Sequence, residues 1–273
     1  MKNLFDEMPQ AIKEDEYLGQ DGLIYCRECH SPRQKELDLG QRKLRVRCLC
    51  VCEAVRQEIT RGELRRQEFQ DKVARNRTVG LAESALRKCT FENDKGYNPE
   101  IAKARKYVEN WEEMLASAAG LLFWGNVGTG KTYIAACIAN ALLDRGVQVM
   151  MTNFSRVLSD LPGMFSGDRN RYIDSFNRSP LLIIDDLGVE RNSEFAREQV
   201  FSVIDSRYRS QLPMIVTTNL TPKEMKNPAD LSRARIYDRV LERCTPIRVD
   251  NQNIREQNKA DNLKKSKQLL RAT

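Results

Sequence analysis

No stretch of the 273 residues approaches the run of about 18 apolar side chains that a membrane-spanning helix needs, so a chain built on such helices is excluded. The N-terminus, MKNLFDEMPQAIKEDEY, carries acidic residues and no apolar core of the kind a secretory signal requires, and the expectation is a cytoplasmic protein. Internal repeats and low-complexity tracts are missing as well. What remains, 41% hydrophobic and 30% charged residues, describes a soluble globular chain. At about 100–200 residues per domain, its length allows one full-sized core and a smaller module.

The net charge of +7 is unevenly placed. Residues 251–273 hold 6 basic side chains against 2 acidic, while residues 91–250 are balanced. A basic tail permits contact with a phosphate backbone without establishing it.

A reducing cytoplasm disfavours a disulfide framework for the eight cysteines, and clustered ones then point to a metal. Cys26 and Cys29 form CREC, the two-residue spacer of half a tetrahedral zinc site. Across about twenty residues, RCLCVC offers Cys48, Cys50 and Cys52 for the other half. If this stretch is a strand, alternation sends all three to one side, so spacing leaves the choice open. The only histidine, His30, adjoins Cys29 and reads as a bystander. The charged segment after the cluster has apolar residues at Val55, Ile59, Leu64, Phe69 and Val73, spaced for a helix leaving a small metal-tied module. A boundary near residue 85 follows from the Gly and Asn-Pro breakers beyond it. Of the isolated cysteines Cys89, Cys137 and Cys244, Cys137 is expected in a core helix.

From residue 121 short apolar runs alternate with helical stretches. Strands are expected at 121–125, 147–153, 181–185, 213–219 and 245–250, the pattern of a parallel sheet with helices on both faces, an α/β fold. Directly after the first strand, GNVGTGKT fits G-x-x-x-x-G-K-[ST] in full. Its residues Gly125, Asn126, Val127, Gly128, Thr129, Gly130, Lys131 and Thr132 read as an ATP cradle, because glycines let backbone N–H groups wrap a polyphosphate and the next helix N-terminus adds positive charge. Lys131 then reaches the β- and γ-phosphates and Thr132 a Mg²⁺ ion. The strand LLIIDD ends in Asp185, the carboxylate for Mg²⁺, and Asp186, the candidate for orienting or deprotonating the attacking water. The strand PMIVTTN ends in Thr217, Thr218 and Asn219, where an amide suits the γ-phosphate or that water.

Taken in order, GNVGTGKT, LLIIDDLG, IVTTNL and RIYDRVLERC resemble the AAA+ ATPases of the DnaC/DnaI type, bacterial helicase loaders, and their relative the IstB transposition ATPase, over residues 86–258. The resemblance implies an AAA+ P-loop NTPase domain there, preceded by a zinc-binding, helicase-docking module with a helical linker (1–85) and followed by a basic tail (259–273). It makes Asn219 the sensor-1 residue and Arg235 the arginine finger that completes a neighbouring subunit's ATP site. Arg239, one helical turn later, competes for that role. Arg255 falls where the family has its sensor-2 arginine, although Asn-Ile-Arg departs from the usual Ser-aromatic-Arg. Chains of this type commonly close the zinc site with CxCE, which selects Cys50 and Cys52 and leaves Cys48 as the alternative. The long connection 153–180 corresponds to the family's extra helical element for assembly and single-stranded DNA, with Arg156, Arg169, Arg171 and Arg178 for phosphates and Phe154, Phe165, Tyr172 and Phe176 for base stacking.

The resemblance thus implies an ATPase using ATP, Mg²⁺ and Zn²⁺ that loads a DnaB-type hexameric helicase onto single-stranded DNA and self-associates; a loader carried by a phage or other mobile element fits the same reading. A transposition helper ATPase is the second expectation. A nucleotide-dependent adaptor that does not hydrolyse is the third, because Asp186 is one methylene shorter than the Glu of many related enzymes, and slow turnover stimulated by DNA or partner is expected.

Overall fold

The structure is a computed structural model and describes residues 12–38, 43–188, 193–228, 230–250 and 254–271. It divides into two compact units, 1–70 and 71–273. The division falls inside a helix, ahead of the composition break near residue 85.

The first unit holds two antiparallel hairpins, β1 (Glu16–Leu18) with β2 (Ile24–Cys26), and β3 (Gln34–Asp38) with β4 (Lys43–Arg47). Little apolar area is buried here, and polar ties replace it. Glu16 is fully buried and accepts from Arg33 at 3.3 Å and Arg47 at 2.6 Å. Burial opposes its charge, but the Lys13 N–H and the two guanidiniums hold its carboxyl below the usual range. Helix α1 (Val51–Gly80) begins at the end of the cysteine cluster. The strand therefore stops at Arg47, and the alternation expected through Cys48, Cys50 and Cys52 does not apply.

In the second unit α2 (Ile101–Glu109) and α3 (Trp111–Ala116) lead into β5 (Gly120–Trp124), α4 (Lys131–Asp144) and β6 (Val149–Asn153). The connection that follows contains α5 (Phe154–Asp160), α6 (Ser166–Ser175) and a short 3-10 turn. Then come β7 (Leu181–Leu187), α7 (Glu194–Arg209), β8 (Met214–Thr218), α8 (Pro222–Lys226), α9 (Leu231–Arg243), β9 (Cys244–Arg248) and α10 (Ile254–Arg271). All five expected strands form one parallel sheet, in the order β6-β7-β8-β5-β9.

The unbroken apolar runs follow from burial on both faces. In β7, Leu181 and Ile183 join a core with α2 and α4, whereas Leu182 and Ile184 join a second core with α5, α7 and α9. Each such side chain, fully buried, contributes roughly 1.5–3 kcal/mol. Helix α4 is apolar nearly all round, and Ile134 to Ala139 are fully buried, with Cys137 in the core as expected. The buried Asn140 donates to the carbonyls of Leu86 and Cys89, both at 2.8 Å, pinning the segment that enters the domain.

At the bottom of the sheet Arg207 is fully buried without a carboxylate among its recorded contacts. It donates to the carbonyls of Pro213, Phe176, Ser179 and Pro180 at 2.7–3.4 Å, and burial lowers its pKa to about 10. One side chain thus ties the starts of β7 and β8 to the end of the long connection.

Candidate functional site

The chain leaves β5 at Gly125, whose φ of 144° and close approach to the Val249 carbonyl admit no Cβ. The loop closes at Gly130, φ 98°, and α4 begins at Lys131. Lys131 is buried; its Nζ donates to the carbonyls of Gly125 (2.9 Å) and Asn126 (2.8 Å) and to Oδ1 of Asn219 (2.9 Å). Residues 88 positions apart thereby meet because β5 and β8 are neighbours.

The carboxylates are arranged by an irregularity in the sheet. The register of β7 on β8 shifts between Ile184 and Leu187, and Asp186 has a left-handed φ of 57°. Asp185 accepts from Thr132 Oγ1 at 2.9 and 3.1 Å and from Thr217 Oγ1 at 2.6 Å. Burial pushes its carboxyl above the ordinary range, with the charge of Asp186 adding to the effect while the Thr217 and Thr132 hydroxyls oppose it. Asp186 is exposed and lines, with Lys131, Thr132 and Asn219, a cavity of about 330 Å³. The two adjacent acids therefore serve different spaces, with Thr132 bordering both.

The far wall of that cavity was not expected. Asn93, Asp94, Lys95, Tyr97 and Asn98 form it together with Ile254. Asn98 Nδ2 donates to the Thr129 carbonyl at 3.3 Å, and the Ile254 N–H donates to the Gly128 carbonyl at 3.0 Å. In the sequence, Gly96 and the Asn-Pro dipeptide at 98–99 marked this segment as breakers rather than as a wall. Arg255 lies in α10, but its side chain and Asn253 are outside the described residues.

The two candidate finger arginines differ sharply. Arg239 pairs with Asp205 at 2.6 Å and lies 4.8 Å from the Phe201 ring centroid, so it is engaged in its own fold. Arg235 is exposed beside a groove formed by α8 and α9 and has no recorded side-chain partner among the described residues. Of the four aromatics proposed for stacking, Phe154 and Phe176 are core residues, and Tyr172 packs edge-on against Phe176 while donating to Asp160. Their helical spacing reflected packing. Phe165 alone is open, at 82% exposure. Arg169 donates to the Met164 carbonyl and sits over Phe195, Arg171 pairs with Asp168, and Arg178 lines a different groove, beside Trp111. Arg156 borders the space beside Asp185.

In the first unit Cys26, Cys29, Cys50 and Cys52 place their sulfurs within 4.8 Å of one another. A tetrahedral zinc with bonds of about 2.3 Å needs sulfurs about 3.8 Å apart. The observed 3.6 Å for Cys26–Cys52 and 3.3 Å for Cys50–Cys52 fit that requirement. Ser31 leads the donors that hold the Cys29 thiol down at about 5, and its hydroxyl also accepts the Val51 N–H at the start of α1. The hydrogen bond with the Cys50 sulfur, with burial adding to it, pushes the Cys52 thiol up. Cys48 turns away to the Pro32 carbonyl, and His30 meets Tyr17. The residues present fit zinc.

Replicative helicase loader DnaC of Escherichia coli (strain K12) is 31% identical over 159 residues, 56% of this chain and 62% of the relative. Replicative helicase loader DnaI of Bacillus subtilis (strain 168) is 28% identical over 147 residues, 50% of this chain and 47% of the relative. The chain thus spans less than two thirds of the length of either. Among solved structures, that of the DnaC helicase loader has a TM-score of 0.54 at 22% identity, covering 62% of this chain and all of that one. A DnaI structure has a TM-score of 0.50 at 22% identity, covering 61% and 94%. These two likenesses concern the fold. The model for IstB-like ATP binding proteins matches residues 51–262, well over half of the sequence, and the chain belongs to that family.

Proposed function

We propose that this chain is an ATP-dependent loader of a replicative, DnaB-type hexameric helicase onto single-stranded DNA. The observation that carries the reading is the meeting of Lys131, Asn219, Thr132 and Asp185 at one sheet edge, in a chain whose relatives are replicative helicase loaders. Lys131 and the loop amides bind the phosphates, and Thr132 and Asp185 would hold Mg²⁺. The ion, when bound, neutralises phosphate charge. Asp186 faces the same cavity as Lys131 and orients the attacking water, and Asn219 positions the γ-phosphate. The short reach of Asp186 makes basal turnover slow, and DNA or the helicase stimulates it. Arg235, free of its own fold, acts on a neighbouring subunit's nucleotide in an ATP-dependent oligomer, with Arg255 as the second sensor. Zinc on Cys26, Cys29, Cys50 and Cys52 makes the first unit rigid enough to dock on the helicase.

Affinity capture with the full chain tests this reading. The replicative helicase should be retained by the wild type and lost with C50S/C52S, and ATP turnover should rise when helicase and single-stranded DNA are present. Absence of turnover under every condition would leave only the adaptor function.

A second reading, an IstB-like helper ATPase in transposition, is favoured by the match to the IstB-like model. The zinc-type module argues for the loader. Capture of a transposase in place of the helicase would reverse that order.

A further inference from the structure

A groove at the end of the sheet opposite the phosphate loop gathers donors that this chain leaves unused. It lies wholly within the second unit, where Gln148 precedes β6 and Pro180 precedes β7, and has a volume of about 410 Å³. Lys72 and Asn76, one helical turn apart near the end of α1, line it together with Gln148 and Arg178. The ion pair of Arg77 with Asp144 and the bridge of Leu81 to Met151 fasten that last stretch of α1 to the same unit. None of the four lining side chains has a recorded hydrogen-bond or ionic partner among the described residues. Trp111 lines the groove as well. It is 3% exposed and packed on Tyr107, and its indole N–H has no recorded acceptor among the described residues. A buried indole N–H ordinarily finds one, and the groove is the space from which an acceptor can reach it.

We propose that the groove is a docking site for an extended segment of a protein partner, one that carries an acidic side chain next to an apolar one. The acid pairs with Lys72 and Arg178, the apolar side chain rests on the half-buried Leu115 and Val147, and a backbone carbonyl of the segment takes the Trp111 N–H. The remaining groups select a peptide over a nucleic acid. Asn76 and Gln148 each offer an acceptor beside a donor, and Glu112, the one acid among the described lining residues, only accepts. A peptide backbone brings N–H groups to these acceptors, whereas a phosphodiester has none and is repelled by Glu112. Base stacking is closed off too, because the Trp111 ring is buried and presents no open face. Lys131 and Asp185 lie at the opposite strand ends, so docking uses no part of the nucleotide site and stands apart from the proposed loading function.

Fluorescence anisotropy of the full chain with fluorescein-labelled hexapeptides tests the groove. The probes place every pair of side-chain types at the two central positions of an otherwise Gly-Ser peptide. Pairs of Asp or Glu with Leu, Ile or Phe should bind best, and oligothymidylate should not displace them. K72E and R178E should each weaken the best peptide by about tenfold, since each turns an attraction into a repulsion, with unchanged circular dichroism. In W124F, which leaves Trp111 as the only tryptophan, the unlabelled peptide should change the Trp111 emission with the same midpoint. A library in which no peptide binds at about 100 μM, or in which basic or uncharged pairs bind best, overturns the proposal. So does displacement by oligothymidylate, a K72E or R178E chain that binds as tightly as the wild type, or a Trp111 emission that ignores the bound peptide.

Discussion

The backbone N–H of Asp186 donates to the hydroxyl of Thr217 at 2.9 Å, and that hydroxyl in turn donates a hydrogen bond to Asp185 at 2.6 Å. One buried side chain on β8 therefore fixes both acids at the end of β7 and holds the left-handed turn between them. T217V keeps the shape and removes the hydroxyl, leaving the Asp186 N–H unsatisfied. Loss of about 1–3 kcal/mol of stability is expected, with weaker Mg²⁺-nucleotide binding. Chemical denaturation and nucleotide titration with and without Mg²⁺ measure the two effects.

Zinc content separates the thiols. C26S, C29S, C50S and C52S should each lose the metal on purification, and C48S should retain one equivalent, because Cys48 faces the Pro32 carbonyl. Metal analysis by mass spectrometry decides this, and a metal-free C48S would mean that the ligand set is wrong.

Arg207 is a demanding position. Lysine keeps the charge but cannot reach four carbonyls from one fork, so R207K should cost about 3–5 kcal/mol, the range for breaking a buried charged network. Urea unfolding followed by circular dichroism gives the value.

Acid should loosen the first unit through Glu16. Its folded pKa is depressed, so its stabilising contribution is present above the unfolded value of about 4.3 and disappears as pH falls through the folded value. The stability gap between wild type and E16Q should therefore be constant near neutrality and close on acidification below that value. A gap that widened in acid would contradict the assignment.

The arginines should part company in kinetics. R235A is expected to keep nucleotide affinity and monomer stability while losing the stimulation that comes with assembly. R239A should lower the melting temperature, because it leaves the 11%-exposed Asp205 carboxylate with Arg209 as its remaining partner and uncovers the rings of Phe201 and Tyr208. Differential scanning calorimetry beside steady-state turnover distinguishes them.

Most of the candidate nucleotide site was legible because its signals are local. A glycine loop between strand and helix, and acids at a strand end, state their geometry within a few residues. The strand ends brought Lys131 and Asn219 to the same γ-phosphate, but their direct contact depends on β5 lying next to β8, a neighbour relation that no local signal carries. Asn93 to Asn98 showed only breakers and Ile254 no signal, because a cavity wall assembled from separate segments has no periodicity. For the aromatics of the connection, helical spacing made core the commoner reading, and Phe154 and Phe176 lie on the inward side of their turns; composition alone cannot tell a stacking platform from a core. At the cysteines the error was one of period. A strand reading continued past Arg47, whereas the chain turns into a helix and separates Cys48 from its neighbours.

The isolated bridge between Leu81 and Met151 has a wider consequence. Strand β6 ends the sheet, and the Leu81 segment lies against it so closely that Gly80 has no room for a Cβ beside the Val149 carbonyl. An open strand margin invites a foreign strand to add itself and seed aggregation. The chain blunts that margin with its own backbone. Substitutions at Gly80 that lift the segment would expose a sticky border along β6 and open the space that Ala82 and Glu83 share with Asp185.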